Sequence, residues 1–458
     1  MLRSSAAAIV FALGAAGCGA ATAVAASPQP VVTSAAARAE TPRKELAREL
    51  VGLLAAGRYE QARAAFDDRI AATLSASRLE GGFTDSRGDS GRFVAVSELH
   101  ETSTGRRSIV WATAEFEKGS IVVTVGFDDA ARVSSLWFGP LTPTWRAPAY
   151  CDLSAIEERD LEVGVRPKLA ATLTRPKAGA RFPVAILVHG SGPNDRDESN
   201  KGTKLFKDLA CGLASRGVAV LRYEKRSHEL PKTVPKAVTY DTETVLDARA
   251  AVVDAKALPD VDGAKVFVVG HSLGAALAPK IAKGAEGLAG IALLAGPTRR
   301  IDKLLADQTA YLMRLHHANQ HAIEVAIAAE RDAFDAAERP GPPDETFVLV
   351  GAKRPRSYIV DQLAYDPRPI ALELTTPIFV LQGDRDYQVT AADDFVGWQR
   401  ALAGRPNVTM RLYKGLNHHF VFGTAPSVPD EYDAPAHADV KVIEDLAAWI
   451  RAGSLPPS

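Results

Sequence analysis

Cysteine is scarce in this 458-residue chain: Cys18, Cys151 and Cys211 are the only three. No Cys/His spacing makes a zinc site, and His316, His317 and His321 read as a solvated helix face. Charge of one sign is missing as well, since 54 Lys and Arg face 55 Asp and Glu for a net charge of −1. There is no basic surplus to attract nucleic acid or anionic lipid. No internal repeat appears, which excludes solenoids and propellers. Long apolar runs are absent too: the stretch Ala6 to Ala16 is too short for a permanent bilayer span. What is present is 47% hydrophobic and 24% charged residues, enough apolar material for a globular core and enough length for two domains.

The first residues, MLRSSAAAIVFALGAAGCGAATAVAAS, have the layout of a secretory signal over 1–26, with Arg3 before the apolar stretch and small residues after it. Val24-Ala25-Ala26 before Ser27 fits ordinary cleavage. Ala15-Ala16-Gly17-Cys18 fits a lipoprotein signal, which would anchor the chain to a membrane through a lipid on Cys18. Either reading exports the protein. The expected location is periplasmic, extracellular or lipid-anchored at the cell surface. Residues 27–42, rich in Ala, Pro, Ser and Thr, read as a flexible tether. Of the two remaining cysteines, Cys151 and Cys211, free buried thiols are the simpler expectation, with an export-permitted disulfide as the alternative.

Over 43–140 the pattern is that of a small α+β domain. Leu46, Leu50, Leu53 and Leu54 recur at helical spacing, Gly57 can close the first helix, and a second helical run follows. From Phe93 to Phe138, SIVWATAEFE and SIVVTVGFD alternate as antiparallel strands do. This pattern resembles the cone-shaped nuclear-transport-factor-like domains placed ahead of some bacterial hydrolases. Pro140, Pro143 and Pro148 mark a linker over 141–160. From 161 to 452, strand-like and helix-like segments alternate, predicting an α/β fold: a mostly parallel sheet with helices on both faces. An insertion over 299–369 has helical runs around 301–317 and 322–338. It is too long for a simple connection and predicts a lid.

Within that alternation, Phe267 to Leu277, FVVGHSLGAAL, sets Gly270-His271-Ser272-Leu273-Gly274 between a strand and an Ala-rich helix. A strand-to-helix turn this sharp has no room for side chains at 270 and 274, so Gly270 and Gly274 leave Ser272 exposed at the tip, with His271 beside it. A serine nucleophile needs a base, and the base needs an acid. Downstream strands end in GDRDYQV, carrying Asp384 and Asp386, and GLNHHF, carrying His418 and His419. Upstream, HGSGPNDRDE follows strand AILV, and its glycine-rich turn can turn backbone N–H groups toward an oxyanion.

These motifs, in this order, resemble those of the α/β-hydrolase superfamily, and over about residues 145 to 450 those of bacterial carboxylesterases. The resemblance implies a nucleophile at Ser272, an acid at Asp386 with Asp384 in reserve, and a base at His418. It implies oxyanion donors at Leu273 and Ser191, with Gly192 next. The chemistry implied is ester hydrolysis through an acyl-enzyme, with a small-molecule ester as substrate and with no metal or cofactor. An amidase, peptidase or thioesterase on the same triad is one alternative. A ligand-binding protein with a relic hydrolase body is the other. His189, Asp195, Arg196 and Asp197 are expected to stabilise their own loop, and Arg222 and Arg226 to pair with nearby carboxylates. Oligomeric state is left open.

Overall fold

A computed structural model describes residues 42–104, 107–139, 141–164 and 166–452. The signal region, Cys18 and the tether up to residue 41 lie outside the described residues. The chain divides into two compact units between Thr144 and Trp145.

In the first unit, α1 (Arg43–Ala55) buries Ala47, Leu50, Val51 and Leu54 along one stripe, and Gly57 follows it at φ +71°. The second helical run is broken into α2 (Tyr59–Arg63) and α3 (Asp68–Thr73), before α4 (Ala76–Arg87). Asp67 and Ser75 cap α3 and α4 through their side-chain oxygens, the usual way of meeting free N–H groups at a helix start. Strands β1 (Phe93–Thr104), β2 (Arg107–Phe116), β3 (Gly119–Phe127) and β4 (Val133–Phe138) form an antiparallel meander. Alternate residues Val110, Ala112, Ala114 and Ile121, Val123, Val125 are buried with the helices, as a sheet with one covered face requires. A two-residue strand, β5 (Thr142–Pro143), closes on β3.

The second unit is built on eight strands: β6 (Ile156–Val163), β7 (Leu169–Pro176), β8 (Phe182–Val188), β9 (Ala219–Tyr223), β10 (Val261–His271), β11 (Gly290–Leu294), β12 (Ile378–Gly383) and β13 (Val408–Tyr413). Their spatial order is β13-β12-β11-β10-β8-β9-β7-β6. The six from β13 to β9 pair in parallel, and β7 and β6 add antiparallel at one edge. The inner strands read as unbroken apolar runs because both faces are covered. Val184, Ile186 and Val188 pack toward α6 (Leu246–Lys256) and α7 (Leu273–Lys283). Ala185 and Leu187 pack toward α5 (Leu205–Ala214) and α12 (Val440–Ala452).

Two expectations are corrected here. The linker placed over 141–160 is ordered structure: Ile156 to Val163 is an edge strand, and Trp145 donates its indole N–H to the buried Asp208 at 2.7 Å. Its run IEERDLEV hides this role, because an edge strand exposed on most of its length needs few apolar residues. Cys151 and Cys211 are not free thiols but a disulfide, their Cα atoms 5.4 Å apart, within bridging range. The bond spans 60 residues of sequence. Closing a loop of that length constrains the unfolded chain, so Cys151→Ser/Cys211→Ser should lose about 2–4 kcal/mol of stability. Urea unfolding of this unit in wild type and variant checks the figure, and equal midpoints would refute it.

The insertion between β11 and β12 holds α8 (Ile301–Leu315), α9 (Gln320–Glu338) and α10 (Arg356–Ala364), followed by α11 (Pro367–Glu373). A hairpin of Thr346–Leu349 and Ala352–Pro355 lies between α9 and α10; the helical reading of the insertion lacked it. Phe334, Ala337, Leu349, Ile359 and Leu363 give the insertion its own small core. His316, His317 and His321 are exposed.

Candidate active site

The residues singled out in the sequence converge at the carboxyl ends of the parallel strands, where loops from several strands meet. Ser272 stands between β10 and α7 at φ +53°, ψ −117°, a strained backbone for a residue with a Cβ. The turn is held by its N–H donating to Leu294 O at 2.9 Å. A Cβ on Gly270 would run into the Gly274 carbonyl, and one on Gly274 into the Val188 carbonyl. Both glycines are therefore required by close backbone approach.

His418 and Asp386 come together by the loops after β13 and β12. Asp386 Oδ2 lies 2.7 Å from His418 Nδ1, and the histidine and the aspartate are both buried. The carboxylate is itself fixed: Oδ1 accepts from the N–H groups of Gln388 and Val389 at 2.8 and 3.0 Å, and Oδ2 from Gln382 Nε2 at 3.1 Å. Asp384, by contrast, is exposed and accepts from Gly415 N–H at 2.7 Å, the loop-holding role its motif allows. Asn417 holds the histidine loop from inside, accepting from the N–H groups of His419 and Val421 and donating to Glu431.

Ser272 and His418 open into one cavity of about 360 Å³. Ser272, His418, Leu273 and Ser191 all line it, as do His271 and His419. Gly192 does not; it sits one residue beyond, at φ +93°, and shapes the turn. Ile301, Leu304 and Leu305 from the insertion form one apolar wall, with Gln308 beside them.

His271 makes more of the site than its place in the elbow shows. Its Nε2 donates to the carbonyl of His418 at 2.9 Å, and its Nδ1 meets Glu198 Oε2 at 3.1 Å, off the line of a straight hydrogen bond. Burial penalises its charge, but Glu198 and the His418 carbonyl outweigh that and raise its pKa. Burial likewise opposes charge on Glu198, yet His271 and the N–H of Gly190 bring its carboxyl down to about 2. His419 goes the other way: burial first, then the neighbouring His271 and His418, push it well below the ordinary value. It is neutral at pH 7, its ring against Tyr432 and its Nε2 3.5 Å from Asn200 Nδ2.

His189 is packed between Phe206 and Tyr223, and burial lowers its pKa to about 4. Asp195 accepts from the N–H groups of Asp197 and Ser199, and Arg196 pairs with Glu224 at 2.7 Å. Arg222 pairs with Glu158 and Asp197, and Arg226 with Asp247. The sequence reading passed over Glu198, Gln382 and Lys225. Their signal is a charged or amide residue directly beside a motif, which only burial distinguishes from a side chain in water.

Fold and site together define a hydrolase with a serine at a strand-to-helix elbow. The chain belongs to the alpha/beta hydrolase family: residues 185–434, more than half of it, match that family's model. It is a carboxylesterase-like hydrolase. Residues 47–136 match a second family, described only as a protein of unknown function, DUF3887. The chain is 35% identical over 395 residues to esterase EstD of Thermotoga maritima, covering 86% of this chain and 91% of that protein. Among solved structures, Est1E from Butyrivibrio proteoclasticus is 16% identical with a TM-score of 0.41, over 64% of this chain and 99% of that one. A hyperthermophilic esterase from the archaeon Pyrobaculum calidifontis is 18% identical with a TM-score of 0.41, over 66% and 87% respectively.

Proposed function

We propose that the protein hydrolyses carboxylic esters with Ser272 as nucleophile, His418 as general base and acid, and Asp386 as the residue that orients His418. The observation carrying this reading is the 2.7 Å contact of His418 Nδ1 with an Asp386 held by three further hydrogen bonds, His418 sharing one cavity with the strained Ser272. The Asp386 contact places the proton on Nδ1 and leaves Nε2 to accept the hydroxyl proton of Ser272. Ser272 Oγ then attacks the ester carbonyl, whose oxygen takes up the negative charge near the N–H groups of Ser191 and Leu273. The N-terminal end of α7 adds favourable potential there. His418 returns the proton to the leaving alcohol, and water, activated by the same histidine, releases the acid from the acyl-enzyme. A fluorophosphonate should label wild type and leave Ser272→Ala unlabelled. Labelling at any other residue would overturn the assignment.

Export belongs to the same reading. It is supported by the N-terminal signal pattern and by the Cys151–Cys211 bond, which suits an oxidising compartment. Acyl tail mass on Cys18 in membrane extracts would support the lipid-anchored form, and a mature start at Ser27 the soluble one.

The insertion is proposed to set acyl-chain preference, because Leu304 and Leu305 face the cavity holding Ser272. Filling that wall with Leu305→Trp should lower the ratio of long-chain to short-chain kcat/KM by about tenfold or more, as pocket discrimination of a few methylenes does. A series of nitrophenyl esters of graded chain length measures it. An unchanged profile in the folded variant would place the acyl group elsewhere.

A further inference from the structure

Lys225 follows β9 and is only 2% exposed, a rare burial for a lysine. Its Nζ donates to the carbonyl oxygen of Gly190 at 2.8 Å. Its other neighbour is Glu243, whose Oε1 is 3.6 Å away and whose Oε2 accepts from the buried Tyr358 hydroxyl at 2.7 Å. Burial lowers the pKa of Lys225, and Glu243 and Glu198 oppose that shift. Charged or neutral, the amine nitrogen still carries N–H groups to donate.

The carbonyl it holds is not an arbitrary one. Gly190 C=O and Ser191 N–H belong to a single peptide unit, planar and trans, so the two bonds point in opposite directions. Fixing the oxygen from behind therefore aims the Ser191 N–H forward, and Ser191 lines the cavity. Asn194 Nδ2 already donates to the same oxygen at 3.1 Å. The carbonyl would thus be satisfied without Lys225, and burying an amine there needs another reason. On the other side, Gly190 N–H is taken up by Glu198 Oε1 at 2.6 Å, which removes it as a donor to substrate. The loop's N–H for substrate is that of Ser191; its own peptide is held through the Gly190 oxygen, and the preceding His189–Gly190 peptide is held by Glu198.

We infer that Lys225 is a positioning residue of the oxyanion hole: it orients and polarises the Gly190–Ser191 peptide so that Ser191 N–H is set for the developing oxyanion, with Glu243 as its counter-ion. This rests on the reading of Ser191 as an oxyanion donor. Polarisation follows because a donor on the carbonyl oxygen draws electron density along the amide and strengthens its N–H as a donor. A preorganised donor of this kind acts on the transition state and hardly on bound ester.

The test uses Lys225→Met in the full chain. Loss of one oxyanion donor costs about 10²- to 10³-fold in kcat, so a misaimed one should cost about 10²-fold with KM changed little. A second readout is the affinity for an alkyl trifluoromethyl ketone. Ser272 Oγ adds to its carbonyl carbon, the hydroxyl proton passes to His418, and the carbonyl π pair moves onto oxygen as the oxyanion. That affinity should fall by the same factor as kcat/KM, while inhibition by the matching secondary alcohol stays constant. A purely structural role would lower the melting temperature and leave ketone affinity in the folded fraction unchanged, which overturns the inference. Should Lys225→Met fail to fold, Lys225→Met/Glu243→Met removes both charges together, a change buried pairs tolerate, and is read in the same way. Failure of the parent reading looks different: wild type would then not be labelled at Ser272 nor bind the ketone at all.

Discussion

Ser272→Ala should lower kcat on a simple ester by about 10⁴- to 10⁶-fold while leaving the far-ultraviolet spectrum and melting temperature near wild type. The size follows from the way the site is built. Oγ is the only atom removed, and the elbow that presents it does not depend on it: the turn is held by the Ser272 N–H on Leu294 O and by the close approach of Gly270 and Gly274 to neighbouring carbonyls. Whatever rate remains reflects binding and the oxyanion donors acting on water-mediated attack. A well-folded variant retaining more than a tenth of wild-type kcat would move the nucleophile away from Ser272. Steady-state rates, with active-site titration of wild type to fix the enzyme concentration, decide the matter.

The second large effect separates two aspartates only two residues apart. Asp386→Asn should lower kcat by about 10³- to 10⁴-fold. An amide facing His418 Nδ1 can present its NH₂ there, favouring the wrong tautomer, and it brings no charge to offset the imidazolium that forms during acyl transfer. The surrounding donors enforce this: the N–H groups of Gln388 and Val389 keep an oxygen at the Oδ1 position, so the NH₂ falls at the Oδ2 position, against His418 Nδ1 and the Gln382 Nε2 donor. Asp384→Asn should stay near the wild-type rate, because Asp384 is exposed and its bond from Gly415 N–H can be made equally by an amide oxygen. The opposite ranking, measured on the same ester at one pH, would transfer the orienting role to Asp384.

Much of the site is legible before folding because its parts are local. The spacing of Gly270, Ser272 and Gly274 encodes a sharp turn within five residues, although the carbonyl that excludes a Cβ at 274 belongs to Val188 on β8, and the loops after β12 and β13 carry their polar residues in contiguous motifs. Parallel strands with both faces covered are also easy to read, since each is a run of five or six apolar residues bounded by glycine or a polar loop. The elements that escaped are those whose sequence does not carry their environment. Strand β6 carries four consecutive charged residues, Glu157 to Asp160, because most of it faces solvent, and it resembles a linker until β7 is beside it. The hairpin at 346–355 is too short for a period to show.

The sequence by itself determined that a serine, an acid and a histidine follow one another on strand ends, and that the chain has an α+β unit ahead of an α/β one. Those are properties of periodicity and of tight turns, set within a few residues. Only the tertiary structure decided which of two aspartates meets the histidine, that Cys151 reaches Cys211 across 60 residues, and that His271, Glu198 and Lys225 are buried titratable groups rather than surface ones. The physical reason is that burial and pairing are long-range. A lysine after a strand is the same residue whether its amine lies in water or against Gly190 O, and the low-dielectric surroundings that give it a role exist only once β8, β9 and α10 have closed around it.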